Sequence, residues 1–243
     1  MHPALTEHVR AIHVGERVRP GTRIERLPDG TTGMLLRVHE DGRGELSLAG
    51  PRSRALFKAM PPARRWVLVD FEPGAGAPFL GIAAHELVDR YARVEDVWGA
   101  DGRRFRDRLV AADSLDDARR IFEDGLVQRL RLRPATASTR LARRAVARLH
   151  GDDPPARMAE LAAELGVSAR HLRRVFTETV GLAPKELARI ARLQRVLAGS
   201  GGSVTWTERA IEAGYYDQAH LIADFRELVG TTPERYARRH AVG

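Results

Sequence analysis

The chain has 243 residues, enough for one large domain or two modest ones that each bury a core, and a change of composition partway along favours two. It contains no cysteine, which excludes disulfides, thiol nucleophiles and thiolate metal sites and fits a reducing cytosol. The net charge of +8 suits a polyanion partner, but nearly all of the positive charge is arginine, an excess that a GC-rich genome also produces, so position along the chain must decide.

The opening segment, MHPALTEHVRAIHVGERV, is charged throughout and lacks the apolar core of a signal peptide, and no apolar run approaches the ~20 residues needed to cross a bilayer. A soluble, cytoplasmic protein without membrane association is expected. Between about 23 and 71 the short segments GTRIERLPDG, TTGMLLRV, GELSLAG and RRWVLVDF are separated by turn formers such as Asp29-Gly30, Asp41-Gly42 and Pro61-Pro62. This pattern predicts a small antiparallel sheet or barrel, with Asp29 as a turn residue. From about 77 to 132, PFLGIAAHELVDRYA and SLDDARRIFEDGLVQRLRL place apolar residues three and four apart, the helical period.

PATAST (134–139) is polar, carries a proline and precedes the helix-like TRLARRAVARL, which Ser138 or Thr139 could cap. The predicted organisation is an N-terminal domain over 1–133, a linker over 134–139 and an all-helical domain over 140–243. The fold class is α+β: a small antiparallel β-rich domain with helices, then an all-α domain. Asp153 followed by Pro154 and Pro155 is a helix-start signal within the latter.

The segment RMAELAAELGVSARHLRRVFTE carries the spacing of a helix-turn-helix. Ala162 supplies the small residue where a second helix crosses closely, and Gly166 the turn where positive φ is cheap. Leu161, Leu165, Val167, Leu172 and Val175 then fall at inward positions. In the second helix Leu172, Val175 and Phe176 share one face, while Arg170, Arg173 and Arg174 share the opposite one. Three arginines at the start of the helix that such a motif lays into the major groove favour DNA over a merely solvated basic face.

The unit is written twice. FTETVGLAPKEL (176–187) returns 49 residues later as FRELVGTTPERY (225–236), and Ala210 precedes Gly214 as Ala162 precedes Gly166. The units span 156–179 and 206–228, joined by PKELARIARLQRVLAG, which predicts a rigid connecting helix. The second turn, GYYDQAHL, is one residue longer than the first. Arg209 stands where the first copy has Leu161, so it must snorkel or leave the second unit less tightly packed. Helix 217–228 carries Asp217, Asp224 and Glu227 against Arg226 alone, which predicts weaker DNA contact than helix 169–179 and an acidic face turned to a protein.

Residues 139–243 resemble the DNA-binding domain of AraC/XylS-type transcriptional regulators, most closely in AGYYDQAHLIADF and VGTTPERY. The resemblance implies double-stranded DNA as partner, with Arg170, His171, Arg173, Arg174 and Thr177 in the first reading helix and Gln218, Ala219, His220, Ala223 and Arg226 in the second. Ala219 and Ala223 cannot hydrogen-bond bases. RIERLPDGTTGML, LAGPRSR, FEPGAGAPFLGIAAHEL and VEDVWG are more loosely similar to the regulatory domains of one branch of that family. This implies a domain open to a small-molecule effector, RNA polymerase as a further partner, and a monomer or a homodimer.

Other chemistries lack their residues. Gly74 and Gly76 invite a dinucleotide-loop reading, but the third glycine of that motif would fall at Phe79. His2, His8, His13, His39 and His85 show no metal-ligand pair on one strand, and neither G-x-S-x-G nor H-E-x-x-H occurs. No cofactor, metal or enzymatic activity is expected. The alternative is a small-molecule enzyme or sensor in the N-terminal half, with DNA binding secondary.

Overall fold

The computed structural model describes residues 1–151, 157–198 and 205–240. The helix-start signal at Asp153-Pro154-Pro155 lies outside the described residues. The N-terminal domain contains strands β1 (Val9–Val18), β2 (Arg23–Arg26), β3 (Thr32–Val38), β4 (Gly44–Ala49), β5 (Leu56–Ala59), β6 (Ala63–Phe71) and β7 (Tyr91–Arg93). The main sheet is antiparallel in the order β1-β6-β3-β4-β7, and β2 pairs with β5 as a separate ribbon. Alternation sets its inner face: Met34, Leu36 and Val38, Leu46 and Leu48, and Val67, Val69 and Phe71 are buried at every second position.

Helices α1 (Ala77–Leu80), α2 (Val94–Trp98), α3 (Ala100–Val110) and α4 (Leu115–Leu132) complete this domain. Phe105 and Leu109 of α3, and Ala118, Phe122 and Leu126 of α4, join the core cluster of the sheet. Ser114 starts α4 by accepting from the Asp117 backbone N–H at 3.1 Å. The helix-like period over 78–92 resolves differently. Gly81, at φ +77°, ends α1 after four residues, a 3-10 turn follows at Ala84–Leu87, and Asp89 at φ +58° leads into β7. Phe79, Leu80, Ala84 and Leu87 are all buried as the spacing required, by two short turns rather than one helix.

The C-terminal domain is helical: α5 (Ala137–His150), α6 (Met158–Glu164), α7 (Ala169–Thr179), α8 (Pro184–Ala198), α9 (Trp206–Glu212), α10 (Gln218–Val229) and α11 (Pro233–His240). Thr136, not Ser138 or Thr139, caps α5, its hydroxyl accepting from the Thr139 N–H at 3.2 Å. One hydrophobic cluster runs through α5 to α10, taking in Leu161, Leu172 and Phe176, then Leu187 and Leu193, then Ala210, Leu221 and Phe225.

The two domains share a close seam. Leu27, Ala55 and Val88 of the N-terminal domain pack against the helical cluster. A Cβ at Gly30 would stand 2.5 Å from Leu187, and one at Gly181 would stand 2.8 Å from the Ala84 backbone. Across the seam Gln194 donates to the Pro28 carbonyl at 2.7 Å and the Ala55 N–H to the Leu228 carbonyl at 2.7 Å. Glu25 on β2 accepts from the Tyr236 hydroxyl and pairs with His240 at 2.8 Å, both on α11. No helix among the described residues is long and apolar enough to cross a membrane.

Candidate nucleic-acid interface

Each helix-turn-helix is built on the same local chemistry. Gly166 and Gly214 take φ of +70° and +86° at the two turns, and Gly181 and Gly230 take +83° and +80° where α7 and α10 end. Left-handed backbone is cheap only for glycine, which explains why both recur at matching places. Ser168 caps α7 by accepting from the His171 N–H at 3.2 Å, and Asp217 caps α10 by accepting from the His220 N–H at 2.7 Å.

On α7, Leu172, Val175 and Phe176 are fully buried, so the helix presents Arg170, Arg173, Arg174 and Thr177 to solvent. His171 is half-buried. The arginines differ in their freedom. Arg174 Nη1 donates to both Glu178 carboxylate oxygens at 3.1 Å, and its Nη2 lies 3.2 Å from His171 Nδ1. Arg170 and Arg173 form no side-chain bond among the described residues. The Thr177 hydroxyl donates to the carbonyl of Arg173 within its own helix at 3.1 Å.

On α10, Gln218, Ala219, His220, Ala223 and Arg226 are exposed, with Leu221, Phe225 and Leu228 turned inward. The Thr207 hydroxyl of α9 donates to Gln218 Oε1 at 3.0 Å, and the His220 ring meets Tyr215 edge to face at 5.1 Å. The structure therefore places the predicted residues on two solvent-facing helix faces, although Ala219 and Ala223 bring no polar group.

The acids of α10 are engaged within the domain. Arg189 of α8 donates to Asp224 Oδ1 through Nε and Nη2, and to both Glu227 oxygens at 3.1 and 2.6 Å. Arg192 Nη2 lies 3.7 Å from Asp224 Oδ2, with its guanidinium 5.3 Å from the Tyr215 ring centroid. The Arg189 hydrogen bonds hold the Glu227 carboxyl below its usual range, and burial followed by the nearby Asp224 charge pushes the Tyr215 hydroxyl up to about 12. With Asp217 acting as the cap, all three acids are spoken for within the domain. Sequence reading missed this because the arginine partners of Asp224 and Glu227 lie on another helix.

Arg209 does not reach solvent, as snorkelling would require. It is buried, with its guanidinium 5.2 Å from the Trp206 ring centroid, so a cation–π contact occupies the place of Leu161 in the first copy. The other motifs weighed in the sequence have structural explanations. Gly74, at φ +77°, packs against Ala142 of α5, and Asp29 accepts from the Thr31 N–H and hydroxyl in an Asx turn. Among the described residues no group of three or more histidine, aspartate or glutamate side chains could hold a metal.

Residues 161–239 match the family described as "Helix-turn-helix domain", and residues 2–93 match one described as "Domain of unknown function (DUF6597)". No curated protein matches the chain. Among solved structures, an AraC-type transcriptional regulator from Chromobacterium violaceum is 23% identical with a TM-score of 0.40, over 43% of this chain and 95% of that one. A probable AraC family regulator from Rhodopseudomonas palustris is 24% identical with a TM-score of 0.37, over 41% and 96%. ToxT from Vibrio cholerae is 10% identical with a TM-score of 0.48, over 94% and 98%. The family match runs from within α6 to α11 and so takes in both exposed helix faces: this part of the chain is a helix-turn-helix domain.

Proposed function

We propose that α7 and α10 of a single chain read successive major grooves on one face of a duplex. In this reading Arg170 and Arg173 contact base edges and Arg174 and Thr177 the groove wall. On α10, Gln218 and His220 supply the polar contacts, Arg226 a phosphate contact, and Ala219 shape alone. The observation that carries it is the doubled unit on a 15-residue spacer, α8. At ~1.5 Å per residue the spacer is roughly 22 Å long, and with the flanking helix bodies it suits reading sites about 34 Å apart, one duplex turn.

The N-terminal domain modulates this binding through the seam, where it touches α8, α10 and α11. The regulator acts in the cytoplasm on double-stranded DNA, with RNA polymerase as its further partner and a small-molecule effector as its input. It does so without catalysis, metal or cofactor, and a monomer suffices to cover two grooves. Turnover by the purified chain would overturn the non-enzymatic part of this reading.

The central claim is tested by inserting one alanine after Arg192. An α-helix has ~3.6 residues per turn, so the insertion rotates the second unit by about 100° relative to the first. Helicity should be nearly unchanged, while the protected DNA shrinks to one major-groove segment and most specific affinity is lost. Protection of two successive grooves with near-native affinity would refute the rigid-spacer account.

A further inference from the structure

The two helix-turn-helix units differ by one residue, and the structure shows which. In the first, Gly166 is followed by half-buried Val167 and then by Ser168, the cap of α7. In the second, Tyr215, 4% exposed, takes the inward place of Val167, and Asp217 takes the capping role of Ser168. The additional residue is Tyr216. It is 90% exposed, more than any other large apolar side chain among the described residues.

A single exposed aromatic needs no explanation by itself. Its position supplies one. Tyr216 stands immediately before the cap of a reading helix, beside Gln218, which α9 holds through Thr207. Helix-turn-helix domains meet the groove with the N-terminal end of the reading helix, and tyrosine hydroxyls are among the groups that contact DNA phosphates. The first unit has no residue at the corresponding place.

We propose that Tyr216 is a DNA-backbone contact peculiar to the second unit. Its hydroxyl donates to a phosphate oxygen at the edge of the groove that α10 enters, and its ring packs on the neighbouring deoxyribose. The proposal rests on α10 entering a groove. Because the side chain is uncharged it releases no counterion, so its loss weakens binding to every sequence while leaving the salt dependence unchanged.

The test uses the full chain with three probes: an operator fragment recovered by selection of bound genomic DNA, a random duplex of equal length, and an operator cut to the groove that α7 covers. Tyr216→Ala should weaken binding to the first two about 5- to 20-fold, and Tyr216→Phe about 3- to 5-fold, the worth of one neutral hydrogen bond. Binding to the cut operator should not change, and the slope of affinity against salt should stay that of the parent. Unchanged affinity with both variants, a loss confined to the cognate sequence, or intact DNA binding with lost transcription would each overturn the assignment. A parent footprint of only one groove would sink the two-groove reading and this proposal together. A two-groove footprint insensitive to both variants would sink this proposal alone.

Discussion

Arg189 on α8 and Asp224 on α10 are joined by two hydrogen bonds to one carboxylate oxygen, at 3.1 and 2.9 Å. Asp224 is 7% exposed, so it needs these donors, and the contact fixes how α10 is carried by the spacer. Asp224→Ala should therefore lower stability by about 1–2 kcal/mol, since Arg189 keeps Glu227 as a partner. The footprint should lose definition in the second groove only. Glu227→Ala, at an exposed pair, should change stability by less than about 0.5 kcal/mol. Denaturant unfolding combined with footprinting checks both, and equal effects would mean that the buried carboxylate has no special role.

The arginines of α7 should separate. Arg173→Ala is expected to reduce discrimination between the operator and a single-base variant by roughly 1–3 kcal/mol, the worth of a bidentate base contact. Arg174 is already held by Glu178, so Glu178→Gln should release it. Affinity should then rise on cognate and random DNA alike, and the salt slope should steepen by about 1. Titrations at several salt concentrations decide this, and a flat response to Glu178→Gln would mean that Arg174 does not reach DNA.

The seam should respond to pH through His240. Its bond to the Tyr236 carbonyl, with the Glu25 carboxylate at its other nitrogen, raises it above its ordinary range, against the opposing effects of burial and, more weakly, of Arg239. A raised folded value means that the contact contributes fully below the unfolded histidine range of about 6.5 and is lost as pH rises through the folded value. Melting temperature followed from pH 6 to 9 should fall more for the parent than for His240→Ala. His240 is about half exposed, so the difference will be small. Parallel profiles would exclude the histidine as the source.

A fragment of residues 134–243 should fold and bind the operator, and one of 139–243 should be weaker by about 1 kcal/mol, because it lacks the Thr136 cap of α5. For a domain of this size that is roughly 4–8 °C in melting temperature. Both should melt below the full chain, since Leu27, Ala55 and Val88 no longer cover the helical core. Equal melting of the two fragments would show that the cap contributes nothing.

Much of the helical domain was legible because its signals are local. Gly166 and Gly214 mark turns through a backbone conformation that other residues resist, and Leu172, Val175 and Phe176 mark a buried face by spacing alone. The first strand escaped notice because β1 buries only its two end residues, Val9 and Val18, leaving no clear alternation. The break at Gly81 was hidden because short turns can bury Phe79, Leu80, Ala84 and Leu87 as well as a helix can. The seam could not be read at all. Glu25 meets a histidine 215 positions away, and Asp224 acquires its meaning from arginines on another helix.

The hydrophobic cluster shared by both helix-turn-helix units bears on how such a chain can diversify. Leu161 and Phe176 of one copy, and Ala210 and Phe225 of the other, belong to a single interior, so a substitution among them is felt by both copies at once. The exposed side chains of α7 and α10 have no such tie. In the proposed two-groove reading, drift at Arg173 would alter one half of the preferred target and leave the other half as it was, whereas drift at Phe225 would endanger the whole. On that reading new target preferences would be acquired one half-site at a time, by natural variation or by directed selection, provided that the common interior is left alone.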